Sequence, residues 1–128
     1  AWGGIAGLQF TLPAAWSGAK RRGFQLEDVV RWTAEKTADF TGLKAKGRLE
    51  KGRDADIVIF DDAALFDVQQ GGVLHRHKVT AYTGLRLQGT VAAHYQRGEM
   101  IYDNNGNFPA GRRGRALLKR SETWTSPA

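Results

Sequence analysis

One stretch limits the possible folds of this chain more than any other: Gly52-Arg53-Asp54-Ala55-Asp56-Ile57-Val58-Ile59-Phe60-Asp61. Ile57, Val58 and Ile59 are β-branched, a side-chain shape that is stiff in a helix and packs well on a pleated surface. Their run is unbroken by polar residues, which is the pattern of a strand buried on both faces. Residues 56–61 are therefore expected to form an inner strand. Such a strand needs neighbours, and two candidates lie downstream. Leu87, Gly89, Val91, Ala93 and Tyr95 alternate across 87–97, and a second extended run follows at 99–102. Arg97-Gly98-Glu99 supplies a tight turn between them, since glycine takes positive φ without steric cost. Asp103-Asn104-Asn105-Gly106-Asn107 is a further turn signal.

Before Gly47 the period is helical. Leu8, Leu12, Ala15, Trp16 and Ala19 recur at three- and four-residue spacing, with Gly23 as the stop. Pro13 fits if this helix starts near Thr11, because proline is tolerated in a first turn. Residues 24–32 carry early acids and apolar Leu26, Val29 and Val30, the signature of a second amphipathic helix. A short third helix is expected over 37–41, closed by Gly42. Residues 47–52 are expected to be a short extended piece. Helices followed by strands make the chain α/β in class.

At 128 residues, 41% hydrophobic and 25% charged, the chain has material for one core. No apolar run approaches the roughly 20 residues that span a bilayer. There is no cysteine, which removes disulfides and thiolate metal sites and suits a reducing, cytoplasmic compartment. The net charge of +6 raises the question of nucleic acid. Its excess, however, sits in Lys20-Arg21-Arg22 at a helix end and in Arg112, Arg113, Arg115, Lys119 and Arg120 of the tail. Cations in a last helical turn meet the unpaired carbonyls there, and no aromatic pattern of a nucleic-acid module accompanies them. Solvated surface is the expectation, with no nucleic-acid or membrane partner. A small basic binding module working through its tail is the alternative of a different class.

Two side-chain pairs invite a chemical role. Asp54 and Asp56 flank one small residue and suggest acid/base or metal chemistry. They are expected to point apart and to cap backbone N–H groups at the entry to the strand, with no catalytic part. His75 and His77 form a His-x-His, a common zinc pattern. His94, the only other histidine, lies in a predicted strand, so a structural or interface role is expected for the pair.

The order helices, Gly-Arg-Asp-Ala-Asp-Ile-Val strand, hairpin resembles the ends of cyclic amidohydrolases. Ala38-Asp39-Phe40-Thr41-Gly42-Leu43 is similar to a helix that ends in Gly-Leu in that family. The stretch from Lys46 to Asp61 resembles its "KGxIxxGxDADxVxxD" signature, and 89–103 resembles its closing hairpin. Two pieces are similar to the allantoinase group in particular. One is His75-Arg76-His77-Lys78-Val79-Thr80-Ala81-Tyr82-Thr83-Gly84, in which Ala81 replaces the usual proline. The other is Ala1-Trp2-Gly3-Gly4-Ile5-Ala6-Gly7-Leu8-Gln9, which looks like the loop after the last metal-ligand strand.

The resemblance implies the last helices of a TIM-like metal-dependent hydrolase barrel (1–46), followed by the carboxyl-terminal strands of a small β-sandwich (47–109) and a basic tail (110–128). It implies a parent enzyme with a binuclear zinc site held by His-x-His, a carboxylated lysine, two further histidines and an aspartate. None of these ligands matches a position here, the family's own His-x-His lying far towards the amino terminus, so this chain is expected to carry neither catalytic nor metal residues. The substrate implied is a small cyclic ureide, allantoin, opened to allantoate; hydantoinase-, dihydropyrimidinase- and dihydroorotase-like enzymes are the alternatives. Gly3, Gly4 and Ile5 match the loop that offers backbone groups to the substrate, and the family often forms homotetramers. An opening on Ala-Trp-Gly-Gly rather than Met leads one to expect a piece of a longer protein. Expressed alone, such a piece is expected to aggregate or stay partly unfolded.

Overall fold

A computed structural model describes residues 6–109 together with Gly114 and Leu117. A turn of 3₁₀ helix, Leu8–Phe10, leads into α1, Thr11–Lys20. Pro13 falls in the first turn of α1, where its missing N–H has no intrahelical acceptor to lose. A second helical run opens with α2, Leu26–Val30, whose start is capped by the Asp28 carboxylate accepting the Gln25 N–H at 3.1 Å. It passes through a π-helical turn, Arg31–Glu35, into α3, Lys36–Thr41, and stops at left-handed Gly42. The two separate helices expected over 24–32 and 37–41 are thus one run. The ladder survives the join because the Thr33 hydroxyl donates to Val29 O at 2.8 Å and the Thr37 hydroxyl to Trp32 O at 3.1 Å. Both satisfy backbone carbonyls where the repeat widens.

The extended piece expected over 47–52 is instead a sequence of turns, bent around ion pairs described below. Beyond it three antiparallel strands make one sheet in the order β1-β2-β3: Ile57–Asp67, Arg86–Gln96 and Glu99–Asp103. The hairpin is as expected, Gln96 pairing with Glu99 across a two-residue turn in which Arg97 and Gly98 both take positive φ (50° and 81°). Such turns match the right-handed twist of the strands they join. The Asp103 turn also forms, its carboxylate accepting the N–H groups of Asn105 and Asn107.

Strand β1 departs from expectation in one respect. Val58 is 42% exposed and Ile59 48%, and adjacent residues face opposite sides, so solvent reaches both faces there. Two bulge-like irregularities, between Ile59 and Phe60 and between Asp61 and Leu65, interrupt the ladder of β1 with β2. In the second, the Asp61 carboxylate accepts the N–H groups of Ala63 and Ala64, which frees the Asp62 carbonyl. That carbonyl then accepts both the Trp16 indole N–H at 2.9 Å and the Gln88 side-chain amide at 3.0 Å. Gly89, opposite, leaves room for the Phe60 ring, 2.1 Å from where a Cβ would stand.

Helix α1 divides the core in two. On one side Trp16, Ala19 and Val29 pack with Leu12, Leu26 and Phe60. On the other, Phe10 meets Val68, Val73 and Leu87, with Ala14, Phe66 and Tyr82 around them.

Candidate functional site

Gly3, Gly4 and Ile5 lie outside the described residues, as does the basic tail apart from Gly114 and Leu117. The structure does show how the chain is held where it leaves them. Thr80, only 7% exposed, donates its hydroxyl to the Ala6 carbonyl at 2.5 Å, across 74 positions of sequence. Gly7 lies under the Tyr82 ring so closely that a Cβ there would sit 2.7 Å from Cε2. Tyr82 cannot easily withdraw, because it also packs on Phe10 with ring centroids 5.9 Å apart. Gln9 then binds the far side of the same loop. Its amide N–H donates to Gly72 O at 2.8 Å, and its oxygen accepts the Leu74 N–H at 2.8 Å. Residues 6–9 and 72–82, which overlap the two segments of narrower resemblance (1–9 and 75–84), therefore meet.

His75 and His77 stand at the edge of this junction. The His75 ring approaches the Val79 carbonyl at 3.3 Å (Nε2), while His77 is exposed. His94 sits on β2 between Val58 and Tyr102 and joins neither. Among the described residues no three histidine or carboxylate side chains gather as a metal site would require. Beside Gln9, Phe10 and Asp67 there is a cleft of about 280 Å³, but only one titratable group lines it.

Asp54 and Asp56 do not point apart. Residues two apart on an extended chain share a side, and here both carboxylates close on the Lys46 ammonium, at 2.6 and 2.5 Å. The expectation of capping was sound for one of them: Asp56 also accepts the Arg97 N–H at 2.9 Å, fixing the hairpin turn against the entry to β1. Burial raises the Asp56 pKa, but the Lys46 ammonium and the Arg97 N–H outweigh it and hold the group below the usual carboxylate value. Lys46 is pushed up by its bonds to Asp54 and then Asp56. The Lys46 ammonium occupies the space between the two carboxylates, and no third histidine or carboxylate among the described residues joins them as a metal site would require. The cluster is a structural clamp. A second one ties Arg48 to Asp39 through two bonds of 2.9 Å and to Glu35 at 3.1 Å, joining this loop to α3 and the π turn.

Thr80, Tyr82, Gln9 and Lys46 were not singled out by sequence reasoning. Each lay inside a quoted motif, but only the fold shows which residue it reaches.

A model of the amidohydrolase family matches residues 4–101. The chain is 49% identical over 113 residues to an allantoinase of Streptomyces avermitilis, covering 88% of this chain and 25% of that protein. It is 39% identical over 104 residues to an allantoinase of Arabidopsis thaliana, covering 80% and 21%. The chain thus spans about a quarter of the length of the curated relatives it matches. Among solved structures it is similar to an L-hydantoinase (dihydropyrimidinase) from Arthrobacter aurescens, with a TM-score of 0.76 and 28% identity over 84% of this chain and 24% of the other. A dihydropyrimidinase from Brevibacillus agri follows with a TM-score of 0.71 and 26% identity, covering 77% and 22%. The resemblance read from the motifs is borne out by these relatives.

Proposed function

The chain belongs to the amidohydrolase family, and on that premise we propose that it is the carboxyl-terminal part of a cytoplasmic allantoinase. The whole enzyme adds water across the ring amide C–N bond of allantoin and releases allantoate. The observation that carries this is the extent of likeness to allantoinases, 49% identity over 113 residues and 88% of this chain. Contact between 6–7 and the second segment, through Thr80 and Tyr82, supports it further.

In this reading residues 1–46 close the hydrolase barrel, 47–109 complete a small β-sandwich, and 110–128 form a basic tail. Apolar side chains left open support such an assembly: Leu8 is 96% exposed, Phe40 92% and Leu65 57%. Further protein of the whole enzyme would cover such side chains. The enzyme's metals, a zinc pair in our reading, are held by residues outside this chain; among the described residues no three histidine or carboxylate side chains gather. The contribution of this chain to the pocket is the backbone of Gly3, Gly4 and Ile5, set against the amide system of a small cyclic ureide. Glycine permits such close approach of main chain to ligand. The enzyme acts as a homo-oligomer, a tetramer by family likeness.

A second reading, a hydantoinase or dihydropyrimidinase, is favoured by the structural neighbours. Assay of the full-length protein against allantoin, hydantoin and dihydroorotate separates the two. Turnover of allantoin well above the others is expected; preference for hydantoin would replace the first reading by the second.

A further inference from the structure

We propose that Asn105 is a site of spontaneous covalent modification, conversion to aspartate and isoaspartate, and that Asp103 sets its pace by holding the 103–107 turn closed. Asparagine is a thermolabile residue, and the three of this chain, Asn104, Asn105 and Asn107, all lie in this turn. In the reaction the Gly106 amide nitrogen attacks the side-chain carbonyl carbon of Asn105. The new N–C bond closes a five-membered succinimide, the bond from that carbon to Nδ2 breaks, and ammonia leaves with the proton from Gly106 N. Water then opens the ring at either carbonyl and leaves aspartate or isoaspartate, the second with an extra methylene in the main chain.

The geometry selects Asn105 among the three. Gly106 puts no side chain beside the attacking nitrogen, and a Cβ there would meet nothing within 4 Å. Asn105 and Gly106 are both exposed, so water reaches the ring. Asn104 is followed by a residue with a side chain. Asn107 is followed by Phe108, and its Nδ2 donates to both Asp103 oxygens, at 3.2 and 3.0 Å. In the closed turn the attacking nitrogen is occupied, since the Gly106 N–H donates to Asp103 O at 3.1 Å. The Asp103 carboxylate also accepts the N–H groups of Asn105 at 2.9 Å and Asn107 at 3.2 Å. Bonds to a charged acceptor are stronger than neutral ones, and these, the Asn107 side chain first, hold the Asp103 carboxyl below its ordinary value. Reaction therefore requires local opening, and its rate follows the population of the open turn. Isoaspartate then lengthens the chain between β3 and Phe108, whose ring packs on Tyr102 with centroids 5.5 Å apart.

The full-length protein should be incubated at mildly alkaline pH and sampled by peptide mapping. Cleavage after Arg97 and Arg112 releases one peptide, 98–112, that holds all three asparagines. Its gain in mass reports the reaction, and fragmentation locates the site and tells isoaspartate from aspartate. In the parent, Asn105 should be lost ahead of Asn104 and Asn107. Asp103→Ala should speed that loss about tenfold. Asn107→Ala, which removes the amide bonds and leaves the carboxylate, should speed it about threefold, and it decides the matter if Asp103→Ala does not fold. In Asn105→Gln the peptide should stay unmodified at 105, because the longer side chain would have to close a six-membered ring. In concentrated urea the parent and Asp103→Ala should react at the same rate, since their difference resides in the folded turn. Loss at Asn104 or Asn107 as fast as at Asn105 overturns the proposal. So does an Asn105 that stays intact in both the folded parent and the loosened variant, or a ratio between them that persists in urea. None of these outcomes bears on which ring amide the enzyme opens.

Discussion

Two irregular segments flank the sheet, and they are held by opposite means. Residues 43–56, between α3 and β1, contain no buried side chain and are fastened by charge: Lys46 to Asp54 and Asp56, Arg48 to Asp39 and Glu35, Arg53 to Glu50. Residues 68–85, between β1 and β2, are fastened by burial: Val73 is fully buried, Val68 is 2% exposed, and Gln9 and Thr80 add neutral hydrogen bonds. Exposed ion pairs are weak and are screened by salt, whereas a buried apolar contact ignores salt and tolerates little change of shape. The first segment holds the general amidohydrolase signature and the second the allantoinase-like one. Charge suits a clamp that must only close a loop. Packing suits one that must keep its shape.

The strongest blow to this distinction is Phe10→Ala. Phe10 is 4% exposed among Val68, Val73 and Leu87, and its truncation should cost about 3–4 kcal/mol. Amide exchange in the full-length protein should then speed up across 68–85 and hardly change across 43–56; equal loss in both would erase the division. Next in size is Gly47→Ala. Gly47 has a φ of +83°, and a Cβ would stand 2.6 Å from the Ala38 Cβ and 2.8 Å from the Ala34 carbonyl oxygen. Backbone strain and a clash with main chain together should cost about 2–3 kcal/mol, read as a lower thermal midpoint. It would show that even the charged segment turns on one steric fit.

The smallest effect sharpens the contrast most. Lys46→Met should cost about 1 kcal/mol at low salt, and the difference from the parent should shrink as salt rises. Its pH dependence has a definite sign. The Asp56 pKa is lowered from 3.8, so its contribution is present above that value and is lost as pH falls through the folded value. The Lys46 pKa is raised from 10.5, so its contribution is complete below that value and is lost as pH rises through the folded one. Exchange protection of 43–56 should therefore weaken at both extremes in the parent and much less in Lys46→Met. An unaltered profile would remove the electrostatic account of this segment.

What the sequence made legible follows the same line. The helix with Pro13 in its first turn, the β-branched run from Ile57 and the Arg97-Gly98 hairpin were all readable, because each is decided by neighbours within a few residues. The π turn was not, since it depends on where the Thr33 and Thr37 hydroxyls find carbonyls. Nor was the meeting of Asp54 and Asp56 on a lysine up to ten residues away. The Thr80–Ala6 bond, across 74 positions, lay furthest from any periodicity. The faces of β1 were misjudged for another reason: an apolar run tells what a strand can bury, and the layer that would cover it is a separate matter. The pocket assignment of Gly3, Gly4 and Ile5 came from family likeness alone, with no periodic or turn signal behind it.

The two irregularities in β1 have a consequence for how this piece tolerates change. They separate the pairing of 57–59 with 93–95 from that of 65–67 with 86–88. A slip of register moves a strand's side chains to the wrong face only as far as the ladder is continuous. Each bulge therefore acts as a firebreak: insertions or deletions in the β2–β3 hairpin stop short of the part of the sheet that seats α1. The outer end of the sheet is free to vary in length and sequence while the end nearest the junction stays in step.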